Sequence, residues 1–357
     1  MAVRHLMETR MTIPLAYVLH SGQMFGTERM ARATLTALRG SFAGSIIAPP
    51  GPVHAAARAA GLQSTVAHGR LGMVWALLSH LARHPDSALF ATGVGHSMMA
   101  GAARGLLGWK GAHVHVVHGG TDERLSYGRK RLLLAFPLRF VAVSGFVRER
   151  LLAHGVPADR IDVIHNFLPH AAPTQRPRFT QDGVKRVVML SRLDRIKRVG
   201  LLFDALERVP GLDALQFEVY GSGEEAELLK ERAKAFPNVE LHGFVPDAAA
   251  ALARADLLLH TCPEEPFGLV MLEAFAAGVP VLVPGSGGAA DIVHPGVNGW
   301  HFAANDAVSL GRQLLRATAA PAATLNALAD AGRADLQTEF SAPRQALRYA
   351  ALARSPA

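Results

Sequence analysis

The stretch that most constrains the fold runs from Ala255 to Trp300, ADLLLHTCPEEPFGLVMLEAFAAGVPVLVPGSGGAADIVHPGVNGW. An apolar run, Asp256 to His260, is followed by a proline-containing loop and then by helical spacing from Gly268 to Ala277. Gly278 supplies a C-terminal stop, and Val279 to Val283 is apolar again. That order predicts a strand, a turn, a helix and a second, parallel strand.

The same alternation extends through the rest of the chain. Candidate strands fall at Ile13–Leu19, Ser45–Ala48, Ser64–Ala67, Ala88–Ala91, His113–Val117, Arg139–Val143, Arg160–Ile164, Arg186–Leu190 and Leu215–Tyr220, with helical stretches between them, several ending at Gly61, Gly108 or Gly155. Thr27 is placed to cap a helix over Glu28–Leu38, and a charged helix is expected over Glu224–Phe236. Strict strand–helix alternation implies doubly wound parallel sheets. A chain of 357 residues suits two domains rather than one. Periodicity lapses from Phe167 to Val184 into Pro169, Pro173, Pro177 and Gly183, which reads as a linker. The division is therefore residues 1–168, a linker over 169–185, a second domain over 186–340, and a C-terminal helix over 341–357 that can cross back to the first domain.

Composition excludes several classes. One cysteine, Cys262, rules out a disulfide framework within the chain and fits a reducing compartment. The N-terminus, MAVRHLMETRMT, carries charges where a signal peptide needs an apolar core, and no run of about 18 apolar residues occurs. A cytoplasmic protein is expected. Charge is uneven: residues 1–170 hold 18 Lys and Arg against 8 Asp and Glu, net +10, and the remainder is net −2. The first half therefore faces something anionic, a membrane surface or a phosphorylated acceptor. Nucleic acid fits poorly, because only 6% of residues are aromatic and no recognition motif accompanies the charge.

The candidate site begins with two carboxylates, Glu265 in the loop and Glu273 in the helix. Glu273 has apolar neighbours almost all round and so needs a hydrogen-bonding partner, either a hydroxyl-rich ligand or an internal ion pair. Pro266 and Phe267 lead into the helix, so the amides of Gly268, Leu269 and Val270 sit at its positive end beyond a strand, where an anion can be held. Arg192 and Lys197 follow another strand's carboxyl end and can clamp a diphosphate, or can be solvated surface charges. Gly26, in the turn after the first strand, lets backbone approach a phosphate or simply turns the chain. His118 ends the strand HVHVVH at the sheet's carboxyl edge, while His96, His113 and His115 are read as satisfied structural histidines. On a strand, His113 and His115 face opposite to His118, so a shared metal is not expected. In RLSYGRKRLLLAFPLRF, residues 124–140, Arg129, Lys130 and Arg131 lie beside leucines, suiting either an anionic membrane surface or an ordinary surface helix.

Glu265 and Glu273 with the intervening PFGLVML, then EAFAAGVPVL, GGAADIV and VNGW, resemble the E-x7-E signature of retaining GT-B glycosyltransferases of the GT4 group. The resemblance implies two Rossmann-like domains facing across a cleft. It implies transfer of a sugar from a nucleoside diphosphate donor to a glycan or lipid-linked acceptor, with retention and without a metal or other cofactor. Glu265 and His118 would meet the donor sugar, Glu273 the ribose, and Gly26, Arg192, Lys197, Phe267, Gly268 and Leu269 the rest of the donor. Arg198 stands where the family commonly has glycine, adding a charge or altering the turn. Other readings are a sugar phosphorylase, a non-catalytic carbohydrate-binding scaffold, or a nicotinamide oxidoreductase. The last is poorly served, since Gly221-Ser222-Gly223 lacks the rest of a dinucleotide fingerprint.

Overall fold

The computed structural model describes residues 12–120, 123–168, 175–245 and 249–355. The first six residues of the expected linker, 169–174, lie outside that range. The first sheet contains β1 (Ile13–Val18), β2 (Phe42–Ala48), β3 (Gln63–Val66), β4 (Ala88–Ala91), β5 (His113–Val117), β6 (Arg139–Ala142) and β7 (Ile161–Val163). The second contains β8 (Arg186–Leu190), β9 (Gln216–Tyr220), β10 (Val239–Gly243), β11 (Leu257–Leu259), β12 (Val281–Pro284) and β13 (Gly299–Phe302). Their orders are β3-β2-β1-β4-β5-β6-β7 and β10-β9-β8-β11-β12-β13, and every pairing is parallel. Both are doubly wound sheets, as expected from the sequence.

Central strands such as β4 and β12 are buried along their whole length, which is why they read as unbroken apolar runs. Each sheet changes direction of growth between its first and fourth strands, β1 beside β4 and β8 beside β11. Connections there leave toward opposite faces and open a crevice at the strands' carboxyl ends. Those two crevices face each other.

Contacts between the domains are specific. Ser144 caps the helix Gly145–Ala153 by accepting from the Val147 amide, and its hydroxyl also donates to the Pro266 carbonyl at 2.5 Å. The Phe146 amide donates to Asp291 Oδ2 at 2.8 Å. Gly119 has φ 81°, and a side chain there would drive into Pro266. The helix Ala342–Arg354 lies against the first domain, with Tyr349 5.6 Å from Phe90, ring centre to ring centre. Residues after 175 pack on the second domain: Phe179 is buried in its core, and Asp256 accepts from the amides of Lys185 and Arg186 while pairing with Arg176.

Local differences from the sequence reading have local causes. The first helix spans Gly26–Ala37 with Phe25, not Thr27, at its N-cap, and no side chain closes that end. The charged helix shortens to Ala226–Ala233. The Val279 amide closes the preceding helix on the Ala274 carbonyl and Pro280 has no N–H to give a ladder, so β12 starts two residues later than expected, at Val281. Residues Gly128–Ala135 form a 3-10 helix in which Lys130 is buried. The basic surface there belongs to Arg129 and Arg131.

Candidate active site

β11 ends beside a loop that turns Glu265 back toward β8. There Glu265 Oε2 receives Lys197 Nζ at 2.6 Å, and His260 Nε2 lies 3.3 Å from the same oxygen. Burial would lift the Glu265 carboxyl, but the His260 imidazole and the Lys197 ammonium outweigh it and hold the acid well below the usual carboxylate range. Burial works against the Lys197 charge in turn, and Glu265 overcomes it, raising the ammonium above an ordinary lysine. The pair is thus fully charged at neutral pH. Arg192, largely exposed, pairs with Asp194 on the same loop.

Gly268 precedes the helix Leu269–Ala277 with φ 91°, a left-handed backbone that glycine adopts freely. Any Cβ there would collide with Met271 and crowd Glu265. The amides of Leu269 and Val270 begin the helix without an acceptor inside it, and both residues line the cleft. One helical turn further on, Glu273 Oε1 accepts from Arg29 of the first domain at 3.1 Å. Glu273 therefore lines the cleft and has the internal ion pair as its partner there.

Apart from Arg29, the first domain contributes uncharged groups. His118, at the end of β5, lies 3.5 Å from the Tyr17 hydroxyl, and burial pushes its imidazole down to about 4, so it is neutral at pH 7. Gly26 has open space above it. His115 bonds Ser97 at 2.8 Å. His113 departs from the satisfied histidine expected: both its ring nitrogens are buried without a protein partner.

All nine residues singled out from sequence, Gly26, His118, Arg192, Lys197, Glu265, Phe267, Gly268, Leu269 and Glu273, line one cavity of about 650 Å³ between the domains. Sequence reasoning missed Arg29, His260 and Asn166, which line it too. Arg29 follows the Gly26 turn and His260 ends an apolar run, so each sat beside a recognised signal. Asn166 lay in the stretch before the linker and gave none. Among the described residues, His260, Cys262 and Glu265 alone bring three potential metal-binding atoms within 4.8 Å of one another. They suit a cation poorly, because the Lys197 ammonium already takes the carboxylate and burial pushes the Cys262 thiol up to about 11.

Two doubly wound domains meeting at their carboxyl edges, with a polar cavity in the cleft between them, define the GT-B architecture. Residues 26–171 match the family described as Glycosyltransferase Family 4 and residues 173–335 match Glycosyl transferases group 1, so the chain belongs to the GT4-type glycosyltransferases. HepE of Anabaena, solved with UDP and glucose, is similar over 95% of this chain and 98% of its own, with a TM-score of 0.79 at 19% identity. The lipopolysaccharide outer core galactosyltransferase WaaB, in its apo form, gives 0.76 at 17% identity over 95% of this chain and all of its own. A GDP-mannose-dependent alpha-mannosyltransferase of Mycobacterium tuberculosis is 31% identical over 165 residues, 44% of this chain and 42% of that protein. The chain spans about half the length of the curated relatives it matches.

Proposed function

We propose that the chain transfers a hexose, with retention, from a nucleoside diphosphate sugar to a glycan or lipid-linked acceptor in polysaccharide or glycolipid synthesis. The observation that carries this reading is the convergence of two cations, a helix mouth, two carboxylates and a neutral histidine on one interdomain cavity. The diphosphate lies at Arg192, Lys197 and the amides after Gly268, whose positive charge stabilises the leaving group without a metal. Glu273 takes the ribose hydroxyls. Glu265 and His118 hold the sugar from opposite walls. The bond from the anomeric carbon to the diphosphate oxygen breaks, its electron pair leaving with the diphosphate. An acceptor hydroxyl forms the new bond on the same face, and its proton passes to the diphosphate oxygen.

A thermal-shift screen with GDP, UDP, ADP and NAD tests the donor class. The 31% identical relative carries GDP-mannose in its name, so GDP is expected to give the largest shift. Stabilisation by NAD alone would overturn the proposal. Product analysis with and without inorganic phosphate separates transfer from phosphorolysis, and release of no sugar from any donor would leave a binding scaffold.

Among the described residues no helix is long and apolar enough to cross a membrane. We propose a cytoplasmic protein whose first domain rests on the anionic inner face of the membrane. The net +10 of residues 1–170 and the exposed Arg129, Arg131 and Leu132 support this. Lys130 is left out of the test because it is buried, its Nζ 3.5 Å from the Leu125 carbonyl. Arg129→Ser with Arg131→Ser should reduce sedimentation with phosphatidylglycerol vesicles, and unchanged sedimentation would exclude this face.

A further inference from the structure

A second and larger cavity, about 1020 Å³, opens on the other side of the loop that follows β8. Its walls include Arg192, Arg195 and Arg198 from that loop, Asn305 after β13, and Phe146 and Arg150 from the first domain. Among the described residues, Arg192 alone lines both cavities. Whatever enters the second therefore meets the donor's diphosphate across a single guanidinium.

Two features mark this cavity as built. Among the described residues, only Arg198 and Asn305 adopt left-handed backbone without being glycine, at φ 55° and 62°, and both line it. Asparagine tolerates that conformation, but arginine does so at a cost that glycine would avoid. Strain of this kind persists where the side chain is needed. The second feature is the charge balance. Asp194 is paired with Arg192, Glu264 lies 3.5 Å from Arg150, and Glu224 accepts from the Arg195 amide at 3.3 Å. Arg195 is 88% exposed with Glu225 only at 4.0 Å, and among the described residues Arg198 has no ion-pair partner. The lining carboxylates are thus already engaged, while the Arg198 guanidinium, and that of Arg195 beyond its 4.0 Å contact with Glu225, are left for a ligand.

We infer that this cavity is the acceptor site and that it selects an acceptor carrying an oxyanion, a phosphate monoester or a carboxylate, which Arg195 and Arg198 hold. Planar guanidiniums bind either group through two parallel hydrogen bonds. The Phe146 ring, with the Arg150 guanidinium 5.1 Å from its centre, offers the acceptor an apolar face. The inference rests on the proposed transferase reading and adds the acceptor's chemical class to it.

The test uses the full chain as wild type, Arg198→Gly, Arg195→Ser and the double variant. Arg198→Gly removes the charge and relieves the left-handed backbone together, so loss of fold does not confuse the result. Transfer rates are compared for glucose, glucose 6-phosphate and glucuronic acid as acceptors. Wild type should show an acceptor KM at least fivefold lower for one charged sugar than for glucose. The double variant should abolish that preference while the nucleotide Kd changes less than twofold. Whether phosphate or carboxylate is preferred identifies the source of the oxyanion. Equal KM values for all three sugars in wild type, or a preference that survives the double variant, would overturn the inference. Equilibrium binding of glucose 6-phosphate and glucuronic acid supplies a readout independent of turnover. If no donor is consumed, the transferase reading fails by itself. Charged-sugar binding that weakens in Arg198→Gly would then still establish the oxyanion site, and the absence of such binding would remove it.

Discussion

The two domains share one plan and divide its chemistry. Each places its crevice beside its first strand, yet the first domain's wall offers His118, Asn166, the open turn at Gly26 and a single charge, Arg29, whereas the second offers Arg192, Lys197, Glu265 and Glu273. Burial keeps the first wall's histidine uncharged, while in the second wall opposite charges pair and keep each other ionised. Arg29 apart, the same fold thus makes a neutral face and a charged face, according to whether a buried titratable group has a counter-charge. The charged face suits the donor's diphosphate, and the neutral face suits hydroxyls.

The largest test of that division is Glu265→Gln, which preserves shape and removes the charge. Turnover should fall by about a hundredfold or more, the loss typical of removing a group aimed at charge developing in a transition state. Nucleotide affinity should not weaken, because Lys197 is released from its partner. Steady-state kinetics with calorimetry on the nucleotide measures both, and wild-type turnover would remove Glu265 from the chemistry. Glu273→Ala should instead weaken nucleotide binding by about tenfold, the worth of a hydrogen bond to a charged group, with a smaller effect on kcat. Equal effects of the two variants on binding would dissolve the distinction between them.

Acid should separate the domains as well. Burial lowers His80, His96 and His118 of the first domain to about 4 and His113 to about 3, against 6.5 for an ordinary histidine. The unfolded chain therefore takes up protons before the folded one does. Their contribution to stability is complete above about pH 6.5 and is lost as the pH falls from there toward 4. Glu265 has a lowered carboxyl, so its contribution persists until the pH drops below the ordinary carboxylate value of 4.5. Hydrogen exchange at pH 7 and pH 5 should show β4 and β5 losing protection before β8 and β11, and equal loss would break the comparison.

What the sequence disclosed follows the same division. Parallel strands buried on both faces read as apolar runs, so most of both sheets was legible; ends such as that of β12 shifted, and the less apolar strands β10 and β13 were not foreseen. The charged wall was legible because Glu265, Glu273, Arg192 and Lys197 stand in short loops after strands, with local signals around each. Contacts that depend on the other domain were not. Nothing beside Arg29 indicates that it meets Glu273, 244 residues away. His113 carried no mark of two unpartnered ring nitrogens, since its burial is created by Trp109 and the neighbouring strands. Arg198 was visible only as a departure from glycine, and its backbone angle became apparent in the fold.

The smallest expected effect is the most discriminating for the Arg29–Glu273 bridge, the ion pair that joins the two walls inside the donor cavity. Its side chains are 42% and 21% exposed, and pairs this open are worth about 0–1 kcal/mol. If the ribose needs Glu273, Arg29 competes with it for the carboxylate. Arg29→Ala should then tighten nucleotide binding by at most about fivefold, the factor that 1 kcal/mol allows. If Arg29 contacts the donor itself, the same change should weaken binding. Nucleotide titration of Arg29→Ala and of Arg29→Ala combined with Glu273→Ala decides by sign: a gain that vanishes when Glu273 is also absent places the competition at that carboxylate, and a loss in both backgrounds moves Arg29 to the donor, so that the first domain's one charge serves the nucleotide.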